Sequence, residues 1–209
     1  KGDTKLPILI FLHGAGGRGT KIQKVKGIAR HVKEGLETFV DEPCFFVAPQ
    51  ATVGTTDIPA SWLPEDLDRF LAHLKDTLSI DGSRIYLTGN SMGGYGTWAW
   101  AAHSPEQFAA VAPVVGGLGK GGPKDITRDL DRWADNLATI PVWAFHGAND
   151  KVVPADRSKQ MVELIRQKGG TQARLTFYPE EGHGASQQVY NSQEFFKWMF
   201  TKKKKTNEE

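Results

Sequence analysis

GNSMGG, residues 89–94, follows the apolar run Arg84–Thr88 and precedes a stretch whose composition is compatible with a helix. The G-x-S-x-G spacing between a strand and a helix is typical of a nucleophile elbow, a sharp turn that holds a serine hydroxyl out of the backbone. Such a turn strains the serine and crowds the positions two residues away, where only glycine has no β-carbon. Gly89 and Gly93 occupy those positions, so the motif predicts a nucleophile at Ser91 that needs a general base.

Short apolar runs alternate along the chain with longer amphipathic stretches. Because the runs are apolar on both faces, they favour a mostly parallel sheet flanked by helices, an α/β fold with its function at the carboxyl ends of the strands. The predicted strands are Ile8–Leu12, Cys44–Ala48, Ile85–Thr88, Ala110–Val115, Val142–His146 and Arg174–Tyr178. The predicted helices are Ile22–Val32, Pro64–Leu78, Met92–His103, Ala155–Lys168 and Ser192–Phe200.

The first predicted strand ends in the glycine-rich loop HGAGGRG, residues 13–19, which allows two functional interpretations. Its glycines match the G-x-G-x-x-G fingerprint of a dinucleotide-binding turn, and Glu34 or Glu37 lies near the distance expected of a ribose-binding acid. Alternatively, the loop presents backbone N–H groups to the oxyanion that forms when a serine attacks a carbonyl. The loop by itself does not separate these interpretations.

An acid and a histidine follow two later predicted strands. Asp150 stands in the loop after the strand that ends at His146, and His183 stands in the loop after the strand that ends at Tyr178. With Ser91 they give the chain order nucleophile, acid, histidine, which is the order of α/β-hydrolases. The dinucleotide interpretation explains only the first loop, so the sequence favours a catalytic triad and leaves a dinucleotide-binding oxidoreductase as a distant alternative.

Other acids near these loops have simpler explanations. Asp156 falls in the expected first turn of a helix, where a carboxylate interacts favourably with the helix dipole. Glu180 and Glu181 are too close in sequence to His183 to rank above Asp150 as its partner. We expect both glutamates to be solvated loop charges.

The other histidines are not spaced as a pair of metal ligands. His13 and His146 each precede a glycine at a strand end, and we expect them to shape their loops through hydrogen bonds. Three more lie in predicted helices and are expected at the surface, namely His31, His73 and His103. The single cysteine, Cys44, lies in an apolar run and is expected to be a buried inert thiol. No metal and no cofactor are therefore expected.

Four motifs spread over nearly the whole chain carry a resemblance to known enzymes. They are FLHGAG at 11–16, GNSMGGYGTW at 89–98, HGAND at 146–150 and GH at 182–183. With them the chain resembles small serine esterases of the α/β-hydrolase superfamily, in the group that contains feruloyl esterases, polyhydroxyalkanoate depolymerases, dienelactone hydrolases and prolyl-oligopeptidase-like peptidases. The resemblance implies an α/β-hydrolase fold in a minimal version that lacks the usual first strands and a lid. Gly17 departs from relatives that have an acidic residue at this position.

These roles define a mechanistic hypothesis. Ser91 attacks an ester carbonyl, His183 takes its proton, and Asp150 holds the histidine tautomer. The backbone N–H of Met92 and one N–H of the first loop, Ala15 in preference to Gly16, stabilise the oxyanion. An acyl-enzyme forms and water hydrolyses it.

Composition sets the remaining expectations. The chain has 209 residues, 39% hydrophobic content and a formal net charge of +2, which suits one catalytic domain over residues 1–201 and a basic, polar, frayed tail over 202–209. Neither a nucleic-acid partner nor a membrane span is expected. The compartment and the oligomeric state stay open, with a secreted or periplasmic location after signal removal slightly favoured.

Substrate specificity is the least constrained property. The loops available to form a pocket are 51–63, with Trp62, and 116–136, with Trp133. We expect Trp62 to line the site. The absence of a lid-like insertion favours small soluble or polysaccharide-linked acyl esters, and a serine peptidase of the prolyl-oligopeptidase-like type is the alternative.

Overall fold

Six strands form one sheet in the structure, a computed structural model that describes residues 4–52, 62–117 and 129–204. The strands are β1 (Leu6–Leu12), β2 (Phe45–Val47), β3 (Ile80–Asn90), β4 (Ala110–Val114), β5 (Val142–Gly147) and β6 (Ala173–Tyr178). Their order is β2-β1-β3-β4-β5-β6, and each neighbouring pair is parallel. The six predicted strands and the parallel α/β sheet are confirmed.

Helices cover both faces of this sheet. Those of the described residues are α1 (Ile22–Phe39), α2 (Pro64–Thr77), α3 (Met92–His103), α4 (Leu130–Leu137), α5 (Asp156–Gln167), α6 (Ser186–Tyr190) and α7 (Gln193–Phe200). Helix α1 runs seven residues beyond its predicted end at Val32, because Gly35 and Leu36 continue the buried stripe that begins at Val25. None of the helices in this part of the chain is long and apolar enough to cross a membrane.

The core consists of two apolar clusters, one on each side of the sheet. Strand residues alternate between them, as Ile8, Ile10 and Leu12 face one cluster while Leu9 and Phe11 face the other. The first cluster packs under α2, α3, α4 and α5, and the second packs under α1, α6 and α7. A strand that is buried on both faces has little room for polar side chains, so chemistry is left to the strand ends.

The strand register aligns the carboxyl ends of the sheet. Four of the pairs at this edge are Leu12 with Gly89, Asn90 with Val114, Val114 with Phe145, and Gly147 with Tyr178. The loops that follow β1, β3, β5 and β6 therefore open at one edge of the sheet. The expected pocket loops are described only in part, since residues 53–61 and 118–128 lie outside the described residues. The expected lack of a lid therefore stays a prediction.

The C-terminal basic segment was expected to be a frayed tail, but residues 202–204 are hydrogen-bonded to the sheet. The Tyr86 hydroxyl donates to the Lys202 carbonyl at 2.9 Å, and the Lys204 N–H donates to the Ser83 carbonyl at 2.9 Å. These bonds fasten the segment to β3, which periodicity alone could not reveal. Residues 205–209 lie outside the described part, and the limit of the catalytic domain at residue 201 stays a prediction.

His31 is a second correction. It was expected at the surface with His73 and His103, which are exposed. Instead, its ring packs edge-on against Phe11 and Tyr190, with centroids 6.3 and 5.3 Å apart, and burial lowers its pKa. An aromatic ring on an amphipathic helix can stand at the border of the apolar stripe, and here the partners come from distant segments.

Candidate active site

Ser91 lies at the turn between β3 and α3 with φ 56° and ψ −119°, a backbone conformation that residues other than glycine rarely adopt. The turn is held by close backbone packing. A β-carbon on Gly93 would lie 1.8 Å from the Leu12 carbonyl oxygen, and one on Gly89 would lie 2.5 Å from the Gly93 carbonyl oxygen. The two glycines thus serve the steric purpose that the motif predicted.

A second strained residue adjoins the elbow. Val115, directly after β4, has φ 43°, which is unusual for a β-branched residue. The Ser91 N–H donates to the Val114 carbonyl at 3.0 Å, and Gly94 packs against Gly116 so closely that neither could carry a β-carbon. Two strained backbones therefore meet at the carboxyl ends of adjacent strands, which is where strain tends to accompany function.

Ser91, His183 and Asp150 form one chain of hydrogen bonds. His183 Nε2 lies 2.9 Å from Ser91 Oγ, and His183 Nδ1 lies 2.8 Å from Asp150 Oδ2. The Asp150 side chain is fully buried, whereas the His183 side chain is 29% exposed. The structure thus brings together the three residues that the sequence singled out, in the geometry of a nucleophile, a base and an orienting acid.

The Asp150 carboxylate is held on both oxygens. Its Oδ1 accepts hydrogen bonds from the N–H groups of Val152 at 2.8 Å and Val153 at 2.9 Å, while Oδ2 faces His183. Burial acts to raise the pKa of Asp150, but the bonds from Val153, His183 and Val152 outweigh it and lower the pKa below its ordinary value. The carboxylate is therefore ionised at neutral pH.

The loops that carry the acid and the histidine are joined by their backbones. The N–H of Ala148 donates to the Tyr178 carbonyl at 3.0 Å, and the N–H of Asn149 donates to the Glu181 carbonyl at 2.9 Å. A β-carbon on Gly147 would lie 2.1 Å from the Gly182 carbonyl oxygen. This close approach sets the distance between Asp150 and His183.

The loop after β1 is organised by His13, as expected. Its Nε2 accepts the Ala51 N–H at 3.0 Å, so Nδ1 carries the proton and donates to the Gly14 carbonyl at 2.7 Å. Burial lowers the pKa of His13, which keeps the ring neutral. A β-carbon on Gly17 would lie 2.4 Å from this ring, which explains why a larger residue is not accommodated there.

The expected oxyanion donors lie beside the elbow. Ala15 and Gly16 form a 3₁₀ turn with Gly17, and Met92 is the first residue of α3. Within residues 4–52, 62–117 and 129–204, the N–H groups of Met92, Ala15 and Gly16 donate to no other residue. Backbone donors without a protein acceptor are available to an anion, and the role of these three stays a prediction.

Trp62 is buried, with 6% of its surface exposed, and lies directly against the first loop. Its indole N–H donates to the His13 carbonyl at 3.1 Å, and its ring meets the His13 ring edge-on at 4.8 Å. Through these contacts Trp62 supports the loop that follows β1. The expected contact of Trp62 with substrate stays a prediction.

The competing residues lie elsewhere. Asp156 is exposed in the first turn of α5, and the Glu181 carboxylate accepts from Gln188. Glu34 and Glu37, the acids of the dinucleotide interpretation, pair with Arg30 and Lys33 on the exposed face of α1. Among the described residues, no group of three or more histidine, cysteine, aspartate or glutamate side chains could hold a metal ion.

His146 has a contact that sequence reasoning missed. It was expected only to shape its loop, and it does bond the Ser158 hydroxyl and the Val153 carbonyl. Its Nε2 also lies 3.3 Å from Asp150 Oδ2, with both side chains fully buried. The spacing of four residues in HGAND was a signal that could have indicated this contact.

The chain is similar to proteins whose names describe hydrolases. The model of the dienelactone hydrolase family matches residues 55–198. Over 185 residues the chain is 29% identical to a protein of Methylorubrum extorquens assigned as a carboxymethylenebutenolidase, a match covering 78% of this chain and 60% of that protein. It is also 29% identical to feruloyl esterase C of Emericella nidulans, over 85% of this chain and 62% of that enzyme. The chain thus spans about three fifths of the length of these relatives.

Solved structures agree on the fold. A thermostable esterase superposes with a TM-score of 0.80 at 31% identity, covering 97% of this chain and 56% of that one. A ferulic acid esterase superposes with a TM-score of 0.70 at 17% identity, which shows a common fold only. The sheet is therefore that of an α/β-hydrolase. Since the family model covers more than half of its residues, the chain belongs to the dienelactone hydrolase family.

Proposed function

We propose that this chain hydrolyses carboxylic esters in two steps, through an acyl-enzyme on Ser91. The observation that carries the proposal is the unbroken hydrogen-bond chain from Ser91 Oγ through His183 to the buried Asp150. A serine hydroxyl becomes a useful nucleophile only beside a positioned base, and the base needs a partner that fixes its tautomer. Family membership and the names of the relatives support the same class of reaction.

In the first step, Ser91 Oγ attacks the ester carbonyl carbon while His183 Nε2 accepts the hydroxyl proton. The resulting imidazolium is stabilised by the ionised Asp150. The bond to the alcohol oxygen then breaks as Nε2 returns the proton to the leaving alkoxide. The products of this step are the free alcohol and an ester of Ser91.

In the second step, water attacks the acyl carbon while His183 Nε2 again accepts a proton. The bond between the acyl carbon and Ser91 Oγ breaks, the serine recovers its proton from Nε2, and the carboxylic acid leaves. In both steps the carbonyl oxygen becomes an oxyanion, and we assign its stabilisation to the N–H of Met92 with that of Ala15 or Gly16. Loss of one such donor typically costs about 3 kcal/mol of transition-state stabilisation.

The only thiol of the chain does not compete with Ser91. Cys44 is half-buried beside β2, and burial raises the pKa of its thiol to about 12. A thiol of this pKa is almost wholly protonated at neutral pH and is a poor nucleophile. We therefore expect iodoacetamide to leave activity intact while a fluorophosphonate abolishes it.

For the substrate, we propose small soluble or polysaccharide-linked acyl esters. The support is the feruloyl esterase among the relatives and the lactone hydrolase implied by the carboxymethylenebutenolidase name. A relative from Arthroderma benhamiae described as a secreted protein is consistent with an extracellular substrate. A serine peptidase would use the same residues, so amide substrates belong in the test.

The test compares acetyl, butyryl, feruloyl and peptidyl substrates on the wild type, Ser91→Ala and Ser104→Ala. Ser104 caps the other end of α3 and donates to Asp68, so it is a matched serine away from the elbow. We expect ester turnover in the wild type and Ser104→Ala and none in Ser91→Ala. Faster peptide than ester cleavage would favour the peptidase, and full ester turnover by Ser91→Ala would exclude the proposed nucleophile.

A further inference from the structure

His146, at the end of β5, is a buried histidine with three polar partners. Its Nδ1 lies 2.8 Å from Ser158 Oγ, and its Nε2 lies 3.0 Å from the Val153 carbonyl oxygen and 3.3 Å from Asp150 Oδ2. Its side chain is fully buried. A buried histidine held on both nitrogens has one orientation and, in a given protonation state, one tautomer.

The partners decide where the proton lies. A backbone carbonyl only accepts hydrogen bonds, so the Val153 carbonyl requires a proton on His146 Nε2. Burial lowers the pKa of His146 more than Val153 and Asp150 raise it, which favours a neutral ring that carries its one proton on Nε2. The unprotonated Nδ1 and the Gly116 carbonyl then both lie within reach of the single Ser158 hydroxyl proton. The Nε2–H then points between the Val153 carbonyl and the Asp150 carboxylate, as a three-centre hydrogen bond does.

This donor differs in kind from His183. The His183 side chain is partly exposed and exchanges protons with the serine and the leaving group, so its hold on Asp150 Oδ2 changes during the reaction. The two bonds to Oδ1 restrain only one oxygen and leave the carboxylate free to rotate about it. A second donor on Oδ2 that takes no part in proton transfer removes that rotation.

We propose that His146 is a positioning residue, whose Nε2–H fixes Oδ2 of Asp150 in the orientation that His183 needs. The inference rests on the proposed function, because His146 is assigned a role only if Asp150 is the acid that orients His183. The Ser158 hydroxyl lies within hydrogen-bond distance of both His146 Nδ1 and the Gly116 carbonyl oxygen, and it can donate its proton to one of them at a time.

The test uses two substitutions that keep different nitrogens. The amide nitrogen of a glutamine can reach the Nε2 position and donate to Asp150, whereas asparagine reaches only the Nδ1 position. We expect His146→Asn to lower kcat by about 10-fold with KM changed by less than about 2-fold, and His146→Gln to stay within about 3-fold of the wild type. The acid limb of the kcat/KM profile should move to higher pH in His146→Asn, because the carboxylate then interacts with His183 alone.

His31→Asn is the matched control. It replaces a half-buried histidine on α1, whose ring contacts Phe11 and Tyr190. We expect it to lower Tm but leave kcat and the acid limb unchanged. Equal losses in His146→Asn and His146→Gln, or losses with an unchanged pH profile, would overturn the positioning role.

A second measurement needs no kinetic comparison. Long-range ¹H–¹⁵N spectra of wild-type protein labelled with ¹⁵N-histidine report the tautomer of each ring, and His146→Gln assigns the signal. We expect a neutral ring protonated at Nε2 near pH 7, and a ring protonated at Nδ1 would refute the inference. Because this readout requires no turnover, it separates failure of the positioning role from failure of the proposed ester hydrolysis, which only the Ser91→Ala comparison tests.

Discussion

The two halves of the candidate site are built by different means. The Ser91 half, at the turn from β3 to α3, is held by backbone atoms in contact, since Gly89 and Gly93 have no room for a β-carbon. The half with Asp150 and His183 is held by hydrogen bonds between side chains and loop backbones. The difference teaches that Ser91 is positioned by contacts that leave no room for an added atom, whereas substitutions of the Asp150 or His183 side chain should keep the fold and change hydrogen bonding and protonation.

Among substitutions that keep Ser91, the largest expected effect lies in the hydrogen-bonded half. Asp150→Asn keeps the shape but offers His183 an amide and favours the wrong tautomer, so we expect kcat to fall by about 10⁴-fold with little change in the fold. Steady-state kinetics and circular dichroism measure the two outcomes. Asp156→Asn, on the exposed first turn of α5, is the control and should keep wild-type kcat. A loss below about 10-fold in Asp150→Asn would assign the acid to another residue.

The packed half should respond to a single carbon. Gly93→Ala would place its β-carbon 1.8 Å from the Leu12 carbonyl oxygen, and because that neighbour is backbone we expect the free energy of unfolding to fall by about 3 kcal/mol or more. Gly16→Ala is the matched control, since no atom lies within 4 Å of its β-carbon and its N–H is retained. Urea unfolding should find it within about 0.5 kcal/mol of the wild type. Similar stability of both variants would contradict the packing argument.

A smaller effect should appear at acid pH. Because the pKa of Asp150 is lowered in the folded state, its contribution to stability is complete above the unfolded-state pKa of about 3.9 and is lost as pH falls through the folded value. We expect the wild type to lose stability more steeply than Asp150→Asn as pH decreases below about 4. Urea midpoints measured at each pH test this, and parallel curves for the two proteins would show that the carboxylate gains nothing from its bonds.

The same contrast explains what could be predicted from the sequence. The elbow could be predicted because its steric constraints act between residues that are neighbours in the sequence. A six-residue motif is therefore enough to show them. Asp150 and His183 could be predicted because the carboxyl ends of parallel strands meet at one edge of the sheet. Two residues in loops that follow such strands are therefore expected to lie close together. The strands themselves followed from apolar runs that the buried sheet requires.

Contacts between segments that are distant in the sequence could not be predicted. The packing of His31 against Phe11 and Tyr190 joins three elements. The bonds of Lys202 to β3 depend on a tyrosine more than a hundred residues earlier. Helix α4, with only eight residues, offers too few turns for a periodic pattern to stand out. Such features arise from tertiary packing, which a single sequence does not display.

The central claim, that Ser91 is the nucleophile of an ester hydrolase, is tested most directly by trapping the acyl-enzyme. The wild type and Ser91→Ala are mixed with a nitrophenyl ester, quenched in acid within the first turnovers, and examined by intact-mass and peptide mass spectrometry. We predict one acyl group per chain on the peptide that contains Ser91, a burst of nitrophenol, and neither in Ser91→Ala. An acyl group on another residue, or turnover by Ser91→Ala at the wild-type rate, would contradict the account.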